Sequence, residues 1–193
     1  MIRCHRVRSA LLCLAIVPLA SSLLAGHLGA QATPAKGGAL FDPIASVLQS
    51  PRCINCHPAG DVPHQKDTHI PHLQHVIRGP YGTGSPALPC STCHQNRNSA
   101  EGAVPGAPGW RLAPLSMKWE GLTKGQICES IKDPNRNGNR RTLEEVIAHM
   151  KSDSLVLWAW HPGADRTVPP VSHEQLVRDL NAWVAAGGPC PSN

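Results

Sequence analysis

The pattern Cys-X-X-Cys-His occurs twice in this chain of 193 residues, as Cys53-Ile54-Asn55-Cys56-His57 and as Cys90-Ser91-Thr92-Cys93-His94. This spacing is the attachment signal for covalent c-type haem. Two thiols separated by two residues reach the two vinyl groups of one porphyrin from a single helical turn. The adjoining imidazole then faces the iron as its proximal ligand. Cys53, Cys56, Cys90 and Cys93 are therefore the expected anchors, and His57 and His94 the expected proximal ligands, of two covalently bound haem c groups. A chain so constrained has to fold around two macrocycles. The competing readings are a redox disulfide and a zinc site built from the thiol pairs. Neither calls for a histidine directly after the second cysteine, and here one follows both times.

The amino terminus has the layout of a secretory signal peptide. Arg3, Arg6 and Arg8 precede an apolar run from Ala10 to Leu24, and Ala30-Gln31-Ala32 offers a small-X-small cleavage site. Residues 1–32 are thus expected to be removed on export, with a single di-haem domain over residues 33–193. The run is short for a membrane span, which needs about 20 apolar residues, although an uncleaved anchor is the alternative. Loss of the leader removes three Arg and no acid, so the formal charge falls from +5 to +2. No basic stripe remains, and nucleic-acid binding is not expected. The mature form is expected not to span a membrane.

Cysteine usage fits an oxidising compartment. Cys4 and Cys13 leave with the leader and four cysteines carry haem. Cys128 and Cys190 then remain as an even pair, for which a disulfide is the expected state. Phe and Tyr occur once each, a thin apolar supply for about 160 residues. Two buried porphyrins would furnish much of the missing area, so a haem-free chain is expected to fold poorly.

The pattern predicts an all-α fold with long irregular loops. Thr33 to Ala39 reads as a tail. Asp42 with Pro43 opens a short helix through Gln49 that delivers the first motif. Pro71 to Ile77 reads as a helix stopped by Gly79-Pro80, with loop from Gly82 to Pro89 and irregular chain from Asn96 to Pro114. Thr123 with Gln126, Thr142 with Glu145 and Ser172 with Gln175 have capping spacing and open three further helices, ending near Asp133-Pro134, Lys151 and Ala186. Leu176, Leu180, Trp183 and Val184 fall on one face of the last. Ser154 to Trp160 is ambiguous, and no segment alternates long enough to read as a strand.

The sixth coordination position of each iron sets its chemistry and potential. Candidate distal ligands are His72, Met117 and His149, two of the three being expected to serve. His72 lies nearest the Leu73, Val76, Ile77 stripe of the predicted helix, with His75 second. Met117 follows Pro114 in a loop, and His149 stands three residues from Val146 on the second carboxy-terminal helix. The five Trp are read as packing residues.

Beyond these motifs the chain resembles exported multihaem c-type cytochromes. Ser50-Pro51-Arg52 through His57-Pro58-Ala59-Gly60-Asp61, Cys90 through Gln95, Lys132-Asp133-Pro134 and Asn135-Arg136-Asn137-Gly138 look like a family of short bacterial proteins, some labelled isoquinoline 1-oxidoreductase subunit. The resemblance implies a small cytochrome c-like helical domain wrapped around two haems. It also implies a periplasmic, non-catalytic one-electron carrier whose partner is a periplasmic or membrane-bound redox protein. An accessory electron-accepting subunit of an oxidoreductase fits the same resemblance. The hydroxylating subunit does not, because the chain lacks the clustered thiols of iron–sulfur subunits and the length of molybdopterin subunits. The alternatives of another class are a haem enzyme or gas or peroxide sensor with one open iron site, and a zinc-stabilised interaction module.

Overall fold

The computed structural model describes residues 37–193. The leader with its cleavage site, Cys4 and Cys13, and the start of the expected tail lie outside the described residues. Gly37–Phe41, expected to be tail as far as Ala39, forms a 3-10 turn that runs directly into helix α1 (Asp42–Leu48). This turn packs on the carboxy terminus so closely that a Cβ on Gly38 would stand 2.6 Å from Pro191 Cα. Because the turn supplies the entering backbone, Asp42 sits in the first helical turn and pairs with Lys124, and does not cap the helix with its side chain. Ser50 breaks the chain, and Pro51, whose fixed φ suits a first helical position, starts α2 (Pro51–Ile54).

The carboxy-terminal half is helical where its caps predict. Thr123 accepts from the Gln126 amide while Gln126 bonds back to the Thr123 amide, opening α3 (Lys124–Lys132). Thr142 and Glu145 make the same reciprocal pair at α4 (Leu143–Ser152). Asp153 accepts from the Leu155 and Val156 amides and opens α5 (Ser154–Trp158), which settles the ambiguous segment. Ser172 caps α6 (His173–Ala185), and Gly187 and Gly188, both at positive φ, end it. The core forms where α1 meets α3 and α6. Phe41, Ile44, Val47, Leu48, Ile127, Leu176, Leu180 and Trp183 are fully buried there, and the Phe41 and Trp183 rings pack with centroids 5.3 Å apart. Of the predicted α6 face, Val184 is only partly buried.

The chain between the two helical parts corrects the all-α expectation. The described residues hold six α-helices and two small antiparallel sheets. No α-helix occurs between Asn55 and Thr123. Strand β1 (His64–Gln65) pairs with β2 (Ile70–Pro71), and β3 (Gly84–Ser85) pairs with β4 (Leu88–Pro89) inside the segment expected to be loop. The predicted helix from Pro71 to Ile77 does not form. The chain is drawn to distant acceptors instead: the His72 amide donates to Pro63 O at 2.9 Å and, just past the segment, the Arg78 amide donates to Asp61 O at 2.6 Å. His75 adopts φ 54°, outside the right-handed region a helix needs. Leu73, expected to be buried, is 62 % exposed.

Cys128 on α3 is bonded to Cys190, a bridge across 62 residues. The carboxy tail is held there further by Lys132 Nζ on Gly188 O and by Thr123 Oγ1 on Asn193 Oδ1. Among the described residues no helix is long and apolar enough to cross a membrane. A loop of this length implies about 4 kcal/mol of stabilisation through the unfolded state. Replacing Cys128 and Cys190 together by Ala should therefore lower the urea midpoint of the purified protein by a corresponding amount. An unchanged midpoint would show that the tail's non-covalent contacts suffice.

Candidate functional site

Helix α2 carries Cys53, and the turn that closes it brings Cys56 and His57 to the wall of a cavity of about 300 Å³. The His57 imidazole is fixed on two sides. Its Nδ1–H donates to Met117 O at 2.6 Å, since a carbonyl can only accept. Its face lies on the Trp119 ring, 3.5 Å between centroids and 4° from parallel. The Trp119 and Glu120 amides donate back to His57 O at 3.0 and 3.2 Å, so residues 117–120 brace the imidazole and its own backbone together. With Nδ1 committed, Nε2 is the nitrogen left to bind a metal. Burial lowers the His57 pKa to about 4, which keeps the ring neutral as a ligand must be. Burial likewise pushes the thiols of Cys53 and Cys56 up to about 12 and about 11.

The second motif has a different local fold and the same brace. The β3–β4 hairpin feeds a 3-10 turn, Cys90–Thr92, and the Cys90 amide donates to Thr83 O at 2.8 Å. Gly84 allows that approach: at φ 91°, a Cβ there would lie 2.6 Å from Leu88 O. His94 Nδ1–H donates to Pro105 O at 2.7 Å, and its ring stacks on Trp110 with centroids 4.6 Å apart, 7° from parallel. Burial again depresses the imidazole pKa. Carbonyl, imidazole and indole thus recur at both motifs although the surrounding sequences do not repeat. The two sites differ in depth, because Cys53 and Cys56 line the cavity while Cys93 is exposed.

His72 faces the second motif. Its ring centroid is 6.2 Å from that of His94, with planes 66° apart. An iron bonded to one imidazole on each face, at metal–nitrogen distances of about 2 Å, sets two rings roughly 6 Å apart. His72 Nδ1 is buried with no hydrogen-bond partner. The sequence singles out this residue through a helix that does not form, and the extended chain from β2 brings it here. On the first side, His149 lines the cavity with Cys53, Cys56 and His57, and Asp153 Oδ2 lies 3.4 Å from its Nδ1. Met117 also lines the cavity, but its carbonyl stands behind His57. His75 and His161 are exposed. His64 and His69 lie together beside Glu120, away from the cavity.

The cavity wall is mostly apolar with a basic margin. Ile44, Leu48, Leu112, Val146, Leu155 and Trp158 supply apolar wall, and Arg111, Arg136 and Arg140 supply positive charge of the kind carboxylates such as propionates require. The two motifs are neighbours. The Ala113 amide donates to Cys56 O, and the adjacent Leu112 amide donates to Gly82 O in the segment before Cys90. Nothing in the sequence marks Trp110 and Trp119 for this brace, since the motif gives no sign of which distant ring or carbonyl will meet its histidine.

The chain matches no family model, no curated protein and no solved structure. The functional reading therefore rests on the two motifs and on the geometry around them.

Arg78 holds the loops between the sites. Its buried guanidinium donates to Ala113 O, to Gly60 O at 2.8 Å and to Pro58 O at 3.4 Å. Arg78→Met fills similar volume but strips those carbonyls of their donor, and should cost about 3 kcal/mol. Differential scanning calorimetry on the purified variant checks this, and an unshifted transition would show that the loops hold themselves.

Proposed function

We propose that this chain is an exported di-haem c-type cytochrome that carries single electrons between redox partners. The observation that supports the reading best is the shared brace. Each motif imidazole is tied by Nδ1 to a main-chain carbonyl and laid on an indole, with a second histidine 6.2 Å from His94. When bound, each haem supplies one ferric–ferrous step at a potential set by its axial ligands and burial.

Cys53 and Cys56, and Cys90 and Cys93, hold the two groups by thioether links. His57 and His94 take the proximal positions. His72 is the favoured distal ligand at the second site, because it alone among the candidates faces His94. His149 is favoured at the first, because its Nδ1 has Asp153 as partner and Nε2 is left for the cavity. Met117 is not favoured, because its carbonyl already serves the proximal side. Ligands fixed in this way would not reorganise when charge changes, which is what rapid one-electron exchange requires. The Arg side chains on the cavity wall would offset the propionate charge.

The contrast in depth gives the carrier a direction. The first site lies among buried side chains and the second opens at Cys93, so exchange with a partner redox protein is assigned to the second site. The adjacency of Cys56 and Cys90 then makes the first site reachable from it. Export through the amino-terminal leader, with residues 33–193 as the working domain in the periplasm, belongs to the same proposal.

Carbon monoxide reports on the distal ligands. The reduced protein at neutral pH should be inert to CO at both haems. His72→Ala and His149→Ala should each open one site and bind one CO per chain, with conversion of that haem to high spin in the EPR spectrum of the oxidised protein. Rapid stoichiometric CO binding by the unmodified protein would overturn the carrier reading in favour of a ligand-binding haem protein.

A further inference from the structure

The hairpin β1–β2 places two imidazoles and a carboxylate together at a point the haem reading does not use. His64 ends up beside His69 because four residues, 66–69, turn the chain between the strands, with Lys66 and His69 at φ 62° and 53°. The loop is pinned from several sides. Asn55 Nδ2 donates to Lys66 O at 2.9 Å, Arg52 pairs with Asp67, and the Thr167 amide donates to Asp67 Oδ2 at 3.0 Å. The two rings stack with centroids 4.0 Å apart. Glu120 comes from the segment that braces His57. The Ala59 amide holds its Oε2 at 2.7 Å, which leaves Oε1 directed at His69 Nε2, 3.1 Å away, and His64 Nε2, 3.8 Å away.

The hydrogen bonds around His69 fix which atom is free. Since the Asn55 amide nitrogen is committed to Lys66 O, its Oδ1 is the end that meets His69 Nδ1 at 2.6 Å. An amide oxygen only accepts, so Nδ1 carries the hydrogen. In a neutral ring Nε2 then presents a lone pair to a carboxylate oxygen at 3.1 Å. Two lone pairs at that distance require positive charge between them. His64 directs its Nε2 at the same oxygen from 3.8 Å, so the positive charge has a second nitrogen within reach. One divalent ion meets all three groups. The ligand atoms lie within 4.8 Å of one another, and nitrogen and oxygen on a shared tetrahedral metal stand about 3.3 Å apart. The His69 pair is at 3.1 Å and the His64 pair at 3.8 Å, so the first is close to this spacing and the second would have to tighten.

We propose that His64, His69 and Glu120 form a binding site for one divalent transition-metal ion of the zinc class, distinct from both haem sites. Two imidazoles, one carboxylate and an open position suit this class, and Asn55 is the partner that orients His69 from behind, as metal-bound histidines usually require. Asn55 lies inside the first haem motif, so the ion would clamp the β1–β2 hairpin to the peptide that carries Cys56 and His57.

The test is zinc titration of the purified haem-loaded protein by calorimetry, with bound metal counted by mass spectrometry after dialysis and free thiols blocked beforehand. One zinc per chain is expected in addition to haem iron, with no change in the Soret band. Affinity should fall about 100-fold or more in Glu120→Gln and in His64→Ala, while haem content and circular dichroism are retained. No zinc uptake by the unmodified protein would overturn the proposal, whatever the variants do. So would uptake that both variants retain, or uptake that shifts the Soret band and so draws on a haem ligand. A haem-free product would instead count against the cytochrome reading, and the same titration would still judge the zinc site.

Discussion

A hydrogen bond from imidazole Nδ1 to a main-chain carbonyl is the tie on which both sites depend. It selects the tautomer, turns Nε2 outward and gives the ring a fixed direction before any metal arrives. At His57 the carbonyl comes from Met117, and at His94 from Pro105. In each case an indole covers the face of the ring, so the imidazole can neither swing nor hydrate freely. Burial favours the neutral form that a metal needs. The fold around the tie is then understandable as a way to deliver two carbonyls and two indoles to two histidines through a chain that is otherwise poor in regular structure.

That delivery explains the division of the molecule. The apolar core of α1, α3 and α6, closed by the Cys128–Cys190 bridge, is a frame built from the two ends of the described chain. The long middle segment is the part that wraps. Its hydrogen bonds run to distant partners, as when Arg78 reaches Pro58, Gly60 and Ala113. Such a segment gains little from local propensity. Its order comes from a few buried polar ties, each of which costs free energy if left unpaired.

This physics also separates what could be read in the sequence from what could not. The caps at Thr123, Thr142 and Ser172 are local, their partners lie three residues away, and the helices they open are found as expected. The Pro71–Ile77 helix has a favourable first residue and apolar spacing, yet the His72 amide bonds to Pro63 and the Arg78 amide just beyond bonds to Asp61, which no local pattern reveals. The helical face that singles out His72 therefore does not exist, while the extended backbone sets its ring opposite His94 for an unrelated reason. The roles of Trp110, Trp119, Met117 O and Pro105 O were illegible because each partner lies far along the chain from its histidine. The attachment residues proposed for haem rest on the sequence alone, because that chemistry requires their spacing.

The central claim is that two porphyrins are covalently held, one by each Cys-X-X-Cys-His. Intact mass spectrometry of the exported protein, produced in a host with a cytochrome c maturation system and paired with a pyridine haemochrome assay, tests it most directly. The account predicts a mass equal to residues 33–193 plus two haems, and two c-type haems per chain. A colourless product with the mass of the bare polypeptide would contradict it.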